Sequence, residues 1–403
     1  MSAPARAGSW YGDPVQRLLV VGSLLNALAF FATVPFLTLY LSAISDLSDA
    51  VVGGIAGSIA LVSAFGGLWG GGLADRLGGT RMIRVGLALN VAVYATLTLV
   101  RQVALVVPLV ALLGVARLLV EPAMKKLMSL TAAGSSGETV FRVRYVTLCL
   151  GATLGPLGGA LLFRLAHWMI FLTPAVLYGC YLLLLQFRAS SLGDLDRVGD
   201  AESRAGSWRR ALRDRGLVRV VGAGLVLFLV FSQFEMILPL YLRDHYGQGG
   251  VSHFSLMLAL TSVLAILFQW PAERLSRRLS RPRLALVGCV GFALACPLFR
   301  GLESHLLFLY LGAVVWTFGE AVLFPLPDAV IHDLTPDSQK GAYYGLAELR
   351  YLGFFFGPVL GGALLPVSAT LYFGLMAVTV FGTWLLLRDP RLHRPHPAPG
   401  SPS

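Results

Sequence analysis

The sequence predicts an all-α membrane protein with twelve transmembrane helices in two pseudo-symmetric six-helix halves. Three observations carry this expectation. Hydrophobic residues make up 56% of the 403-residue chain and charged residues only 13%, against about a quarter charged in ordinary soluble domains. Apolar runs long enough to cross a bilayer, about 20 residues each, recur along the whole chain. The second half then repeats features of the first at a nearly constant offset.

Splitting the apolar runs at charge clusters, Gly/Pro turns and interfacial aromatics gives spans at 17–43, 50–73, 83–100, 103–128, 141–163, 167–187, 217–242, 252–272, 283–300, 304–330, 341–364 and 367–387. The first apolar run, Leu18 to Ser45, exceeds the roughly 7–15 residues of a signal-peptide core, so it is expected to remain as the first span. Domains are expected at 1–187 and 217–388, the two halves. A polar, mixed-charge stretch at 188–216 reads as a cytoplasmic linker, with one short amphipathic helix around Trp208. The segment 389–403, rich in proline, reads as a disordered cytoplasmic tail.

The repeat is specific in its residues. Gly155-Pro156 is answered by Gly357-Pro358, Asp75 by Glu273, Pro122 by Pro325 and Pro35 by Pro239, at offsets of 202, 198, 203 and 204. Parallel six-helix repeats are a transporter architecture with the substrate site near the midplane between them, so a pathway is expected where the halves meet.

Net charge is +11, which in a soluble protein would suggest nucleic acid. With charges near a span end counted in the adjoining loop or terminus, the span map instead assigns 26 of the 32 Lys+Arg to the termini and even-numbered loops, four (Arg101, Arg164, Arg243, Arg300) to odd loops, and two (Arg117, Arg350) to span interiors. This bias places both termini in the cytoplasm and accounts for the basic surplus without nucleic acid. Lys125 and Lys126 read as an anchor at the cytoplasmic interface. The four cysteines have neither CxxC nor Cys/His ligand spacing, so no disulfide framework, metal site or cofactor is expected.

With "GGLADRLGGTR" at 71–81 between the second and third spans, the chain resembles the major facilitator superfamily over essentially its whole length. The family's loop motif, G-x-L-A-D-R-x-G-R-K, is matched by Gly71, Leu73, Ala74, Asp75, Arg76 and Gly78 and departs at Gly79 and Thr80. The resemblance implies that Asp75 and Arg76 help latch the cytoplasmic side. "GPLGG" at Gly155-Pro156 and "GPVLGG" at Gly357-Pro358 resemble the family's antiporter motif, a helix bend or equally a small-residue packing seam.

Ionisable residues inside spans are costly and mark functional positions by default. They are Arg117 and Glu121 in span 4, Glu235 in span 7, Glu320 in span 10, and Glu348 with Arg350 in span 11. Arg117 lies 15 residues from Gln102, roughly 22 Å along a helix and past the midplane, with Glu121 one turn further on the same face. Two readings stand for that pair: mutual neutralisation, or a proton-carrying Glu121. Glu235 and Glu320 are the first choices for proton or cation binding. In the resembling family spans 1, 4, 7 and 10 line the cavity, where Arg117 and Glu320 are placed to meet. If several of the aromatics near these charges (Phe30, Phe31, Phe36, Tyr40, Phe231, Phe234, Trp316 and Phe318) face the cavity, the site is wide, aromatic and mildly acidic; singly, each reads as a packing or lipid-facing residue.

The preferred reading is a monomeric, proton-coupled exporter of an amphipathic small organic molecule in a bacterial cytoplasmic membrane. Its rivals are proton-coupled uptake of a peptide, sugar or organic acid, and an integral-membrane enzyme or lipid-handling protein. The peptide version of the first lacks the E-x-x-E-R signature of peptide transporters in "LLNALAFFATVPF" of span 1, and the second lacks any catalytic constellation or nucleotide-binding lysine.

Overall fold

The computed structural model describes residues 14–47, 49–131, 137–187, 211–336, 339–389 and 392. The amphipathic helix expected around Trp208, most of the linker and nearly all of the tail lie outside these residues. Among the described residues all regular structure is helical. In chain order the helices are α1 (Pro14–Ile44), α2 (Asp49–Leu77), α3 (Gly79–Leu99), α4 (Val103–Thr131), α5 (Gly137–Leu165), α6 (Met169–Phe187), α7 (Arg215–Ser232), α8 (Leu238–Leu267), α9 (Gln269–Ser276), α10 (Arg281–Gly301), α11 (Leu307–Leu323), α12 (Pro325–Leu334), α13 (Lys340–Ala347), α14 (Leu352–Leu364), α15 (Ala369–Thr379) and α16 (Phe381–Leu387).

Helical backbone covers each of the twelve expected spans. Nine of the described helical segments are long and apolar enough to cross a membrane by themselves, and ten if the bent α8/α9 pair counts as one. The other two are α2 and the three-piece segment of α13, a 3-10 turn (Glu348–Tyr351) and α14. Exposed leucines, valines and phenylalanines on these helices, such as Leu157, Leu161, Val359 and Phe355, present the apolar exterior that a hydrocarbon solvent requires.

The chain divides into two compact units. Unit 1 comprises Met1–Ala211 with Thr335–Glu348, and unit 2 comprises Leu212–Leu334 with Leu349–Ser403. In unit 1, α1 packs along α5, α4 lies between α2 and α3, and α13 rests on α2 and α4. In unit 2, α7 packs on α14 and α16, and α10 on α11 and α15.

Glycine sets the closest of these approaches, because hydrocarbon gives helices no hydrophobic reason to pack and van der Waals contact must do it. A Cβ added at Gly155 of α5 would stand 2.8 Å from Phe31 Cβ of α1, whereas at Gly158 it would meet nothing. The same seam recurs in unit 2, where a Cβ at Gly357 would lie 1.9 Å from Ser232 Oγ and 2.7 Å from the Leu229 carbonyl. Both helices run on through their prolines, Pro156 and Pro358.

Between α7 and α8 the backbone makes a π-turn, Gln233–Ile237. Pro239 has no N–H to offer the Glu235 carbonyl four residues back, which frees this segment from the α pattern. Leu238 N–H accordingly donates to the Gln233 carbonyl, five residues back. Gly247, at φ 55°, breaks the helix path inside α8, a left-handed conformation that glycine adopts without Cβ strain.

The turn after α10 is tied down by a polar cluster. Tyr241 and Arg300 both bond Glu303, His245 Nε2 lies 3.1 Å from the same carboxylate, and Tyr246 donates to the Leu302 carbonyl. The Tyr241 hydroxyl first, then Arg300, holds the Glu303 carboxyl below its usual range.

Two outcomes follow from this packing. Gly155→Leu should lower stability by about 1–3 kcal/mol through overpacking, with Gly158→Leu near neutral, read as thermal midpoints of the detergent-solubilised protein. Because the folded value for Glu303 lies below the unfolded one, its small contribution is present at neutral pH and fades as pH falls through the folded value. The difference in midpoint between wild type and Glu303→Gln should therefore shrink as the pH is lowered through and below the ordinary carboxylate range.

Candidate functional site

One face of α4 carries Arg117, Glu121, Lys125 and Ser129 at successive i,i+4 positions. Such spacing stacks side chains along a single stripe of a helix. The groups on that stripe meet partners from α1, α5 and the α13 segment. The Arg117 guanidinium lies 4.6 Å from the ring centroid of Phe30. One Glu121 oxygen accepts from Arg144 Nη2 at 2.5 Å and the other from Asn26 Nδ2 at 2.7 Å. Lys125 bonds Glu348, and the Ser129 carbonyl accepts from Lys340 Nζ at 3.4 Å.

Beside this stripe, Asp75 at the end of α2 caps the N-terminus of α13. Its two oxygens accept from the backbone N–H groups of Gly341 and Ala342 at 2.8 and 2.7 Å, and Lys126 Nζ stands 3.2 Å away. These are first-turn N–H groups with no partner inside their own helix, and the positive end of the helix dipole favours a carboxylate there. Gly78, at φ 86°, lets the chain turn from α2 into α3 directly behind Asp75. Arg76 is exposed, and Gly71 lies within α2.

Lys125 and Lys126 correct the sequence expectation of an interfacial anchor: both are fully buried, at 0% exposure. Arg142 and Arg144, counted with the loop charges, are likewise buried in α5. The physical reason is that buried acids 75, 121 and 348 need cations within reach, and a charged pair in low dielectric is tolerable only when each partner is supplied. Sequence reasoning missed Asn26, Arg144 and the lysines. The fourfold i,i+4 spacing along α4 was a signal that could have found them.

In unit 2, Arg350 makes a two-pronged pair with Asp328 at 2.9 and 3.0 Å, both side chains buried, with its guanidinium 5.7 Å from the Phe228 ring centroid. Glu348 and Arg350, two apart in sequence, thus take separate partners, Lys125 and Asp328. Glu235 sits exposed in the π-turn, and Glu320 is half-buried on α11. The repeat is chemically unequal here: Glu273, the counterpart of Asp75, pairs on the surface with Arg277 at 2.6 Å.

Apolar helices of membrane-spanning length in this number, with ionisable side chains held among them, define a multi-pass membrane protein by class. The family model of the Major Facilitator Superfamily matches residues 19–252 and 248–402. The chain belongs to the Major Facilitator Superfamily; it is a transporter and not an enzyme. Relatives include the "Uncharacterized MFS-type transporter YqjV" of Bacillus subtilis (strain 168), 26% identical over 87% of this chain and 86% of its own. The "Na(+), Li(+), K(+)/H(+) antiporter" of Planococcus maritimus is 24% identical, over 89% and 90%. "Multidrug resistance protein MdtH" of Cronobacter sakazakii (strain ATCC BAA-894) is 25% identical, over 92% and 93%. Among solved structures, the human organic anion transporter MFSD10 (TETRAN) superposes with a TM-score of 0.72 at 19% identity, covering 96% of this chain and 100% of that one. The proton:xylose symporter XylE bound to 6-bromo-6-deoxy-D-glucose gives 0.70 at 15%, covering 93% and 94%. At these identities the two structures share the fold.

Removing one member of a buried pair strands the other charge. Lys125→Met should destabilise unit 1 by about 3–5 kcal/mol, and the double variant Lys125→Met/Glu348→Leu should recover most of that loss. Denaturation midpoints of the three proteins check both statements.

Proposed function

We propose that the protein is a proton-coupled exporter, an antiporter that moves an amphipathic small organic molecule across the cytoplasmic membrane by alternating access. A drug, an antibiotic or a siderophore-like metabolite fits this description. The single observation that carries the reading is Glu235, an exposed carboxylate on an otherwise apolar span. No described residue forms a hydrogen bond or ion pair with it, and it sits in a π-turn. Such turns recur at functional positions in helices, and an intramembrane carboxylate that other groups do not neutralise can bind and release a proton.

Glu121, by contrast, is engaged by Arg144 and Asn26, which suits a role in holding the bundle and Arg117 in place. Glu320 is the second candidate for proton binding. Asp75, with Arg76, Gly71 and Gly78, serves as the latch that fastens α13 during one half of the cycle. The Gly-Pro seams at 155–156 and 357–358 support the export direction, as do the names of the antiporter and multidrug relatives. In this reading residues 1–187 and 217–388 are the two halves, 188–216 the linker and 389–403 the tail, with both termini cytoplasmic and the protein working as a monomer.

Reconstitution in proteoliposomes with an imposed pH gradient tests the coupling. Glu235→Gln should cut gradient-driven flux by roughly tenfold or more while sparing downhill exchange, as expected for loss of the titrating group. Undiminished coupling in both Glu235→Gln and Glu320→Gln would sink the proposal. Right-side-out vesicles read the direction, since accumulation of labelled substrate inside them with the proton gradient would mean uptake. A parallel run on a sodium gradient separates proton from metal-cation coupling.

A further inference from the structure

The α8/α9 pair of unit 2, bent by 41°, carries an exposed stripe that changes character along its length. Leu256, Val263 and Leu267 are exposed on α8, Trp270 follows on α9, and Arg274 lies one turn beyond. Spacings of three, four or seven residues keep these positions on one helical face. From Leu256 to Leu267 the helix rises roughly 16 Å, which matches the about 15 Å of hydrocarbon in one leaflet.

At the end of that stripe the surface turns aromatic and then basic. Trp270 is 62% exposed, and the Arg274 guanidinium stands 3.7 Å from its ring centroid. Indole is favoured at the headgroup level of a bilayer, where its apolar body and its N–H each meet a suitable phase. Stacking occupies the face of a guanidinium and leaves its N–H groups available as donors.

The turn from α9 into α10 adds charge without neutralising all of it. Arg277 pairs with Glu273 at 2.6 Å, and Arg281 pairs with Asp333. Arg278 and Arg283 are exposed, and neither side chain forms a hydrogen bond or ion pair with a described residue. Of the five arginines between positions 274 and 283, Arg274, Arg278 and Arg283 thus keep their charge at the surface with no acid beside them. Like charges gathered on one short segment repel one another, and an anion relieves that repulsion.

We propose that this end of unit 2 is a docking surface for an anionic phospholipid, with the phosphate at Arg274, Arg278 and Arg283 and an acyl chain along Leu267, Val263 and Leu256. A phosphodiester presents oxygens that accept parallel bonds from a guanidinium fork. The apolar stripe selects a lipid over free phosphate, because one molecule with a charged head and a hydrocarbon tail satisfies both parts of the surface. A phosphatidylcholine head adds a cation that the three arginines repel, so the net negative lipid is preferred. The assignment does not depend on the cargo or the direction of transport.

Native mass spectrometry of the full-length protein in detergent, titrated with dioleoylphosphatidylglycerol or dioleoylphosphatidylcholine, tests it. The first phosphatidylglycerol should bind wild type at least about fivefold more tightly than phosphatidylcholine, the worth of roughly one arginine near an anionic surface. The variant Arg274→Gln/Arg278→Gln/Arg283→Gln should lose that preference. If it does not fold, Arg278→Gln/Arg283→Gln carries the test and should cut the preference severalfold. Arg81→Gln/Arg213→Gln/Arg215→Gln removes the same charge from exposed positions elsewhere and should keep the preference. Trp270→Ala should weaken phosphatidylglycerol severalfold, since Arg274 loses the ring that seats it. An excess of inorganic phosphate should leave the lipid bound. Equal binding of the two lipids to wild type, an undiminished preference in the site variant, an equal loss in the control variant, unchanged affinity in Trp270→Ala, or displacement by phosphate alone each overturns the proposal.

Discussion

The interaction on which unit 1 depends is the neutralisation of charge along α4. A helix that carries Arg117, Glu121 and Lys125 through an apolar bundle is stable only if each charge finds a partner before it is desolvated, because an isolated ion in low dielectric costs several kcal/mol. Asn26, Arg144 and Glu348 answer that demand from three other segments. The consequence is positional. Since each partner comes from a different element, satisfying the charges of α4 also fixes where α1, α5 and α13 stand against it.

The same constraint explains why α13 belongs to unit 1. This eight-residue helix has Asp75 at its N-terminus, Lys340 bonded to the Ser129 carbonyl and, just past its end, Glu348 bonded to Lys125. Apolar packing of so short a helix gives little selectivity of place, whereas three charge-assisted bonds in a water-poor setting specify it closely. The counterpart carboxylate in unit 2, Glu273, does no such work, being half-buried and paired with Arg277 one turn on, at the end of its own helix. A sequence repeat therefore carries over the backbone pattern without carrying over the chemistry at matching positions.

Packing and function meet again in unit 2, at the segment around Gly357 and the π-turn. The glycine admits Ser232 and the Leu229 carbonyl at distances no side chain would allow. Gln233, whose amide donates to Leu229 and accepts from the Tyr372 hydroxyl, fills the hydrogen-bonding needs of the widened turn. Glu235, two residues on, is left outside this network. A turn whose backbone is already off the α pattern can change its register at lower cost than a regular helix.

Hydropathy, the positive charge bias and the repeat were legible in the sequence, and with them the helical membrane fold, because bilayer thickness imposes a length and a polarity on every span wherever it packs. The loop motif likewise pointed to Asp75, since its glycines and carboxylate are close in sequence. The destinations of Lys125, Lys126, Arg142 and Arg144 were not legible. Charge near a helix end looks the same in sequence whether it faces headgroups or a buried acid hundreds of residues away, as Lys125 and Glu348 show. So the sequence by itself determined the fold class and the spans. Only the tertiary structure decided which charges neutralise one another and which remain exposed, because desolvation is set by neighbours in space and not by neighbours in the chain.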